Sequence, residues 1–167
     1  MPEAPKTAHE DERIAVLHAL GILDTPKEER FDRITRVAAA LFDVPVALVS
    51  MVDVNRQWFK SCFGLDTRET DRSASFCAHA ILRDEILVIE DTMADPRVSD
   101  NALVTGPPYV RFYAGQPIKA KGEHNMGTLC VIDKKPRSFD DDERALLRDL
   151  AYWAELELNI EHAGAEV

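Results

Sequence analysis

The chain has 167 residues, 46% of them hydrophobic and 30% charged, with 20 Lys+Arg against 30 Asp+Glu and a formal net charge of −10. That length suits one domain whose core is large enough to fold without disulfides or metal. The acidic balance works against phosphate backbones and anionic membranes, so no nucleic-acid or membrane partner is expected.

The opening MPEAPKTAHE lacks the apolar core of a secretory signal, and no stretch reaches the length of a membrane-spanning helix. Cys62, Cys77 and Cys130 are scattered among apolar and aromatic neighbours. They read as buried free thiols of a reducing compartment, which makes a cytoplasmic protein the expectation. The domain plan is a flexible tail over 1–10, a single domain over 11–161 that includes its flanking helices, and a C-terminal tail over 162–167.

In chain order, Ile14, Leu17 and Leu20 share one face of a first helix, and Gly21 can supply the left-handed residue that ends it. Thr25, Pro26 and Glu28 spell a capping box for a second helix with the stripe Phe31, Ile34, Val37, Ala38 and Leu41. Val46 to Val52 is apolar at both parities and reads as a central strand, returning through Asp53–Arg56 into Gln57 to Phe63. Gly64 to Ser75 is polar and irregular, Phe76 to Leu82 a short helix, and Ile86 to Ile89 a short strand. Asp91 to Pro108 is loop, with one helical turn near Asn101 to Val104. Phe112 to Lys119 and Met126 to Asp133 form a hairpin around Gly122–Asn125, where Pro117 implies a bulge or an open edge. Asp140 and Glu143 then cap a final helix with Leu146, Leu147, Leu150, Trp153, Ala154 and Leu156 on its apolar face. Successive hairpins with grouped helices give an α+β fold.

The spaced set Leu20-Gly-Ile-Leu-Asp-Thr-Pro26, Arg30-Phe-Asp-Arg-Ile34, Val46 to Asp53, Gln57-Trp-Phe-Lys60, Ser75-Phe-Cys-Ala-His-Ala-Ile81, Asp95-Pro-Arg97, Arg111 to Gly115 and Gly127 to Asp133 resembles the GAF domains. The resemblance is to the bacterial sensory type found in front of histidine kinase or diguanylate cyclase domains, so either is a candidate output partner. It implies a mostly antiparallel sheet of five to six strands with the N- and C-terminal helices on one face. Irregular segments on the other face would close over a ligand pocket. It also implies a homodimer through the terminal helices.

Within that frame Phe76, Cys77 and His79 form the first candidate ligand-binding cluster, an apolar wall beside a hydrogen-bonding imidazole. The plainer alternative has His79 on a backbone carbonyl and Cys77 filling core. Arg111, with Tyr109 and Tyr113, is the second, since a guanidinium can fork onto a ligand carboxylate or phosphate; an internal salt bridge to Asp91 or Asp95 competes with it. Asp91 and Asn101 are candidates from the covering loop, where turn and cap duties explain the same residue types.

No metal or cofactor is expected. Cys77-x-His79 lacks the paired C-x-x-C spacing of structural zinc, and Ala78 separates Cys77 from the histidine that a bilin-carrying cysteine would precede. The expected function is non-enzymatic: a small-molecule sensor in signal transduction that relays binding through its terminal helices. A dimerisation module with a vestigial pocket is the alternative. A free methionine sulfoxide reductase is a further one, although the cysteine contexts do not match that enzyme.

Overall fold

The computed structural model describes residues 2–160, so the predicted tail at 162–167 lies outside the described residues. Helices α1 (Glu10–Ala19) and α2 (Glu29–Phe42) come first, followed by strands β1 (Val46–Val52), β2 (Arg56–Phe63) and β3 (Glu69–Asp71). Short helix α3 (Phe76–Ala80), strand β4 (Leu87–Ile89) and the single turn α4 (Ala102–Thr105) follow. The hairpin β5 (Phe112–Ala120) and β6 (His124–Asp133) then leads into α5 (Asp141–Leu158). Among the described residues the strands make one antiparallel sheet in the order β3-β2-β1-β6-β5-β4, the expected α+β architecture.

Every residue of β1 is buried, because both faces of the sheet are covered there. Side chains alternate along a strand, so Ala47, Val49 and Met51 enter one core while Val46, Leu48 and Val52 enter another. The first core is built by helices: Leu17 of α1, Phe31, Ile34 and Ala38 of α2, and Leu147, Ala151, Ala154 and Leu158 of α5. The second is closed by α3, α4 and the loops around them, through Phe76, Ala80, Ile81, Val98, Val104 and Val110.

Most local signals act as expected. Gly21 takes φ 64° after α1. At α5, Asp140 Oδ1 accepts from the Glu143 amide at 2.8 Å and Glu143 Oε1 from the Asp140 amide at 3.1 Å, the reciprocal capping box. Pro117 pairs with Thr128 of β6, but β4 reaches only Tyr113 to Gly115, so the proline faces an open edge, and the register shifts between Ile118 and Lys119.

Four expectations are corrected. The polar stretch after Gly64 contains β3, which pairs Glu69, Thr70 and Asp71 with Trp58, Gln57 and Arg56 of β2; its Glu-Thr-Asp composition carries no strand signal. The Thr25–Glu28 capping box does not form, and α2 starts at Glu29 without a side-chain cap. Lys60, fully buried in β2, takes those groups instead: its Nζ donates to Thr25 Oγ1 at 2.8 Å and to the Pro26 carbonyl at 2.7 Å, and pairs with Glu28 at 2.6 Å. A buried ammonium left without acceptors costs more than a missing helix cap. Of the α2 stripe, Val37 and Leu41 are 39% and 50% exposed, since the sheet covers only the Phe31, Ile34 and Ala38 side. The N-terminal segment is no loose tail: Ala4 is buried in the second core, and the Pro2 carbonyl lies 3.2 Å from His79 Nε2.

A buried ion-pair network fastens α1 to the β1–β2 turn. Glu10 sits between Arg13 at 2.9 Å and Arg72 at 2.7 Å, both guanidinium groups being nearly inaccessible, and Arg72 also donates to the Asp53 carbonyl. Burial pushes the Glu10 carboxyl up, but hydrogen bonds from Arg13 and Arg72 outweigh it and hold the group far below its ordinary 4.5. A carboxylate with a depressed pKa contributes stability above its unfolded value and loses it as pH falls. Glu10→Gln should therefore be less stable at pH 7 by about 3 kcal/mol, having stranded two buried arginines. Between pH 5 and pH 3 its denaturant midpoint should fall less steeply than that of the parent chain; parallel slopes would disprove the assignment.

Candidate functional site

The loop-covered face of the sheet leaves a cavity of about 260 Å³. Its floor is Leu48 of β1, Gln57 and Phe59 of β2, Tyr113 of β5 and Ile132 of β6, all on the same face by strand alternation. Phe76 and Cys77 of α3 make one wall, and Leu103, Pro107, Pro108 and Val110 form the lid. Leu65, Thr67 and Thr70 stand at the rim. Among the described residues, no charged side chain lines it.

Polar groups enter sparingly and in fixed positions. Ser75 caps α3 by accepting from the Ala78 amide at 3.0 Å, and its hydroxyl donates to Gln57 Oε1. Gln57, its oxygen engaged by Ser75, is the carboxamide of the lining. Beneath Phe76, whose ring meets Tyr113 edge-on at 5.2 Å, lies a buried polar cluster. Cys77 Sγ is 3.2 Å from the Tyr113 hydroxyl, 3.1 Å from Thr128 Oγ1 and 4.0 Å from Cys130 Sγ. Burial raises the Cys77 thiol, but hydrogen bonding with Cys130, Thr128 and Tyr113 prevails and lowers it. Burial pushes Tyr113 well up, and Cys130 is held up by its bond to Cys77 and by burial.

The strand pairing explains how the cluster assembles. Cys130 lies across from Leu48 on β1 and Gly115 on β5, and Thr128 across from Ser50. Gly115 is what lets Tyr113 reach it: a Cβ there would overlap the tyrosine hydroxyl and ring.

Of the sequence candidates, Phe76, Cys77 and Tyr113 meet in this cavity. The other five lie elsewhere. His79 faces a separate groove of about 360 Å³ with Pro2, Leu82, Leu87 and Pro96, and burial lowers its pKa. Asp91 Oδ1 accepts from the Met93 amide in the loop. Asn101 caps α4 through the Leu103 amide and donates to the Ala74 carbonyl. Tyr109, at φ 57°, is half exposed beside the lid. Arg111 pairs with neither Asp91 nor Asp95; its Nη1 donates to the carbonyls of Val104 and Val110 and holds the lid to β5, while Asp95 is taken by Arg97. Gln57, Thr67 and Thr70 escaped the sequence reading. Only Gln57, a carboxamide inside an apolar strand, left a signal.

These features place the chain among known proteins. The GAF domain description matches residues 26–158, and the chain belongs to that family of signalling and sensory domains. It is 43% identical over 137 residues to a cyclic di-GMP phosphodiesterase of Pseudomonas aeruginosa, covering 82% of this chain and 23% of that protein. The chain thus spans less than a quarter of that curated relative. In fold it is similar to the GAF domain of the Acinetobacter phosphoenolpyruvate-protein phosphotransferase, with a TM-score of 0.64, 17% identity and coverage of 93% and 98% of the two chains. A free methionine-R-sulfoxide reductase from Neisseria meningitidis gives a TM-score of 0.62 at 17% identity, covering 95% and 96%. At those identities the two structural likenesses concern the fold alone.

Among the described residues, no helix is long and apolar enough to cross a membrane, and no group of three or more His, Cys, Asp and Glu could hold a metal ion.

The close approach at Gly115 yields a direct test. Gly115→Ala should destabilise by about 1–3 kcal/mol through overpacking. In a Tyr113→Ala background the same change should cost little. Equal costs in both backgrounds, measured by denaturant titration, would mean that the tyrosine does not set the constraint.

Proposed function

We propose that this chain is a non-catalytic, small-molecule-sensing regulatory domain of a cytoplasmic signalling protein. The observation that carries the reading is the cavity: it is partly open, mostly apolar and, among the described residues, lined without charge. Ligand sites combine such walls with a few placed polar groups, here Gln57 and the rim hydroxyls of Thr67 and Thr70. The chemistry selects a compact uncharged molecule, aromatic or aliphatic, with one or two hydrogen-bonding atoms. A nucleotide is disfavoured, because its phosphate would enter a wall with no cation to pair it.

Ligand would favour one placement of the lid and α3. The neighbouring residues of β1 and β6 face the helical core, so the bias can reach α1, α2 and α5. The output partner is an enzyme of bacterial second-messenger or phosphotransfer signalling. The relationship to a cyclic di-GMP phosphodiesterase favours cyclic di-GMP turnover over a histidine kinase. Exposed Val37 and Leu41 on α2, with Leu146, Tyr152 and Leu156 on α5, supply an apolar surface for a homodimer.

A thiol-dependent reductase is the second reading, favoured by the pairing of Cys77 with Cys130 beside the cavity. Free methionine sulfoxide is a zwitterion, and the uncharged lining offers neither of its charges a partner. Turnover of that substrate with a thiol reductant is expected to be nil; activity that vanishes in Cys77→Ser would replace the sensor reading.

Thermal-shift screening with small uncharged aromatic and aliphatic compounds, alongside cyclic nucleotides, tests the main proposal. A neutral compound at a hundred times its Kd should stabilise by about 2.7 kcal/mol. Leu103→Trp, which fills the cavity from the lid, should abolish that shift without lowering the melting temperature of the unliganded chain. No stabilisation by any class would leave a dimerisation module with a vestigial pocket. Light scattering at micromolar concentration should give a dimer, and Leu156→Glu a monomer; a monomeric parent chain would refute the interface.

A further inference from the structure

Cys77 and Cys130 come from elements far apart in sequence, a five-residue helix and a central strand, yet their sulfurs lie 4.0 Å apart with no other thiol in the cluster. Cys62, the third cysteine, is engaged with the Leu65 carbonyl. Both members of the pair are shut off from bulk water, but Cys77 is part of the cavity wall. A small uncharged oxidant entering past the rim therefore meets Cys77 first, with Cys130 behind it. The Tyr113 and Thr128 hydroxyls at 3.2 and 3.1 Å stand where they can donate to a Cys77 thiolate.

We propose that Cys77 and Cys130 are a hydroperoxide-responsive thiol pair that closes into a reversible disulfide, tying α3 to the floor of the sheet. In the first step the Cys77 sulfur attacks the peroxide. An S–O bond forms, the O–O bond breaks, and the leaving oxygen takes up the proton given up by the Cys77 thiol. Cys77 is oxidised to the sulfenic acid, and the hydroperoxide is reduced to water or an alcohol. The Cys130 sulfur then attacks the Cys77 sulfur; the S–S bond forms, the S–O bond breaks, and hydroxide leaves as water with the Cys130 proton. Two thiols and one hydroperoxide give one disulfide, one water or alcohol and one further water.

The roles of the two sulfurs follow from their surroundings. Cys77 lines the cavity beside two hydroxyls and is the sulfur that a reagent reaches, whereas Cys130 lies behind it on β6 and resolves. A disulfide is about 2.05 Å long, so the sulfurs must approach by roughly 2 Å. Strand β6 is fixed by β1 and β5 on either side, which leaves α3 to move. Phe76, a cavity wall, and Ser75, which orients Gln57, are carried with it. Oxidation thus reshapes the same cavity, whether or not a ligand occupies it.

The test treats the reduced chain with hydrogen peroxide, traps remaining thiols under denaturing conditions and maps peptides without reduction. The parent chain and Cys62→Ala should lose two hydrogens and yield a linked Cys77–Cys130 peptide pair that dithiothreitol separates. Cys130→Ala should instead stop at a Cys77 sulfenic acid that dimedone captures, and Cys77→Ala should leave Cys130 reduced. The map of the parent chain needs no substitution, so it decides even if a variant folds poorly. Cys77 and Cys130 both remaining thiols while Cys62 oxidises would overturn the proposal. So would over-oxidation of Cys77 without linkage while Cys130 is present.

Discussion

The structure depends on the demand that β1 and β6 make from both sides: each is apolar at both parities, so the sheet must be covered twice. The two covers are unlike. On one face α1, α2 and α5 satisfy their own backbone and are free to spend side chains on packing. On the other, α3, α4 and the connecting loops must find partners for backbone groups one at a time. Ser75, Asn101, Thr92 and Arg111 do so, binding the amides of Ala78 and Leu103 and the carbonyls of Val110 and Val104. A cover assembled this way cannot fill space as helices do, and the cavity is the remainder.

The same division explains how much the sequence disclosed. Periodicity and caps marked the helices, and runs of Val, Ile and Leu marked the inner strands, because those elements answer to local chemistry. Strand β3 answers to nothing local: Glu69, Thr70 and Asp71 pair only because β2 runs beside them. The Thr25–Glu28 signal was real but outbid by Lys60, whose burial is a tertiary fact and invisible at the helix start. In the site, Phe76, Cys77 and Tyr113 were legible because aromatic and thiol groups near a loop tend to line whatever space remains. His79, Asp91, Asn101, Tyr109 and Arg111 were chosen for polarity. In the covering loop polarity mostly serves backbone carbonyls and amides, so the same property that suggested ligand contact placed most of them elsewhere.

The charge pattern sharpens this. The chain carries 30 acidic and 20 basic residues, yet among the described residues none lines the cavity. Its arginines are committed to fastening: Arg72 and Arg13 to Glu10, Arg56 to Asp24 and Asp53, Arg137 to the Phe42 and Asp43 carbonyls at the end of α2. Fixed charges thus fasten helices to turns and loops around a cavity that is itself lined without charge. A ligand that entered with a net charge would have no pairing group to offset the loss of its water.

Against that neutral background the cluster of Cys77, Tyr113, Thr128 and Cys130 stands out. Four polar side chains, one from α3 and three from the middle of the sheet, meet where Val or Leu would pack as well. Gly115 gives up its own side chain so that Tyr113 can reach the group. A core selected only for stability has little reason to accept these costs, since a hydroxyl or thiol gains little net energy even when paired and loses more when it is not. The arrangement becomes economical if the thiols react: the hydroxyls orient and stabilise one sulfur, the second waits at 4.0 Å, and the cavity admits the reagent. Placed under α3, a five-residue helix that forms one wall of the cavity, that chemistry acts where a small displacement changes the shape of the site without disturbing the sheet.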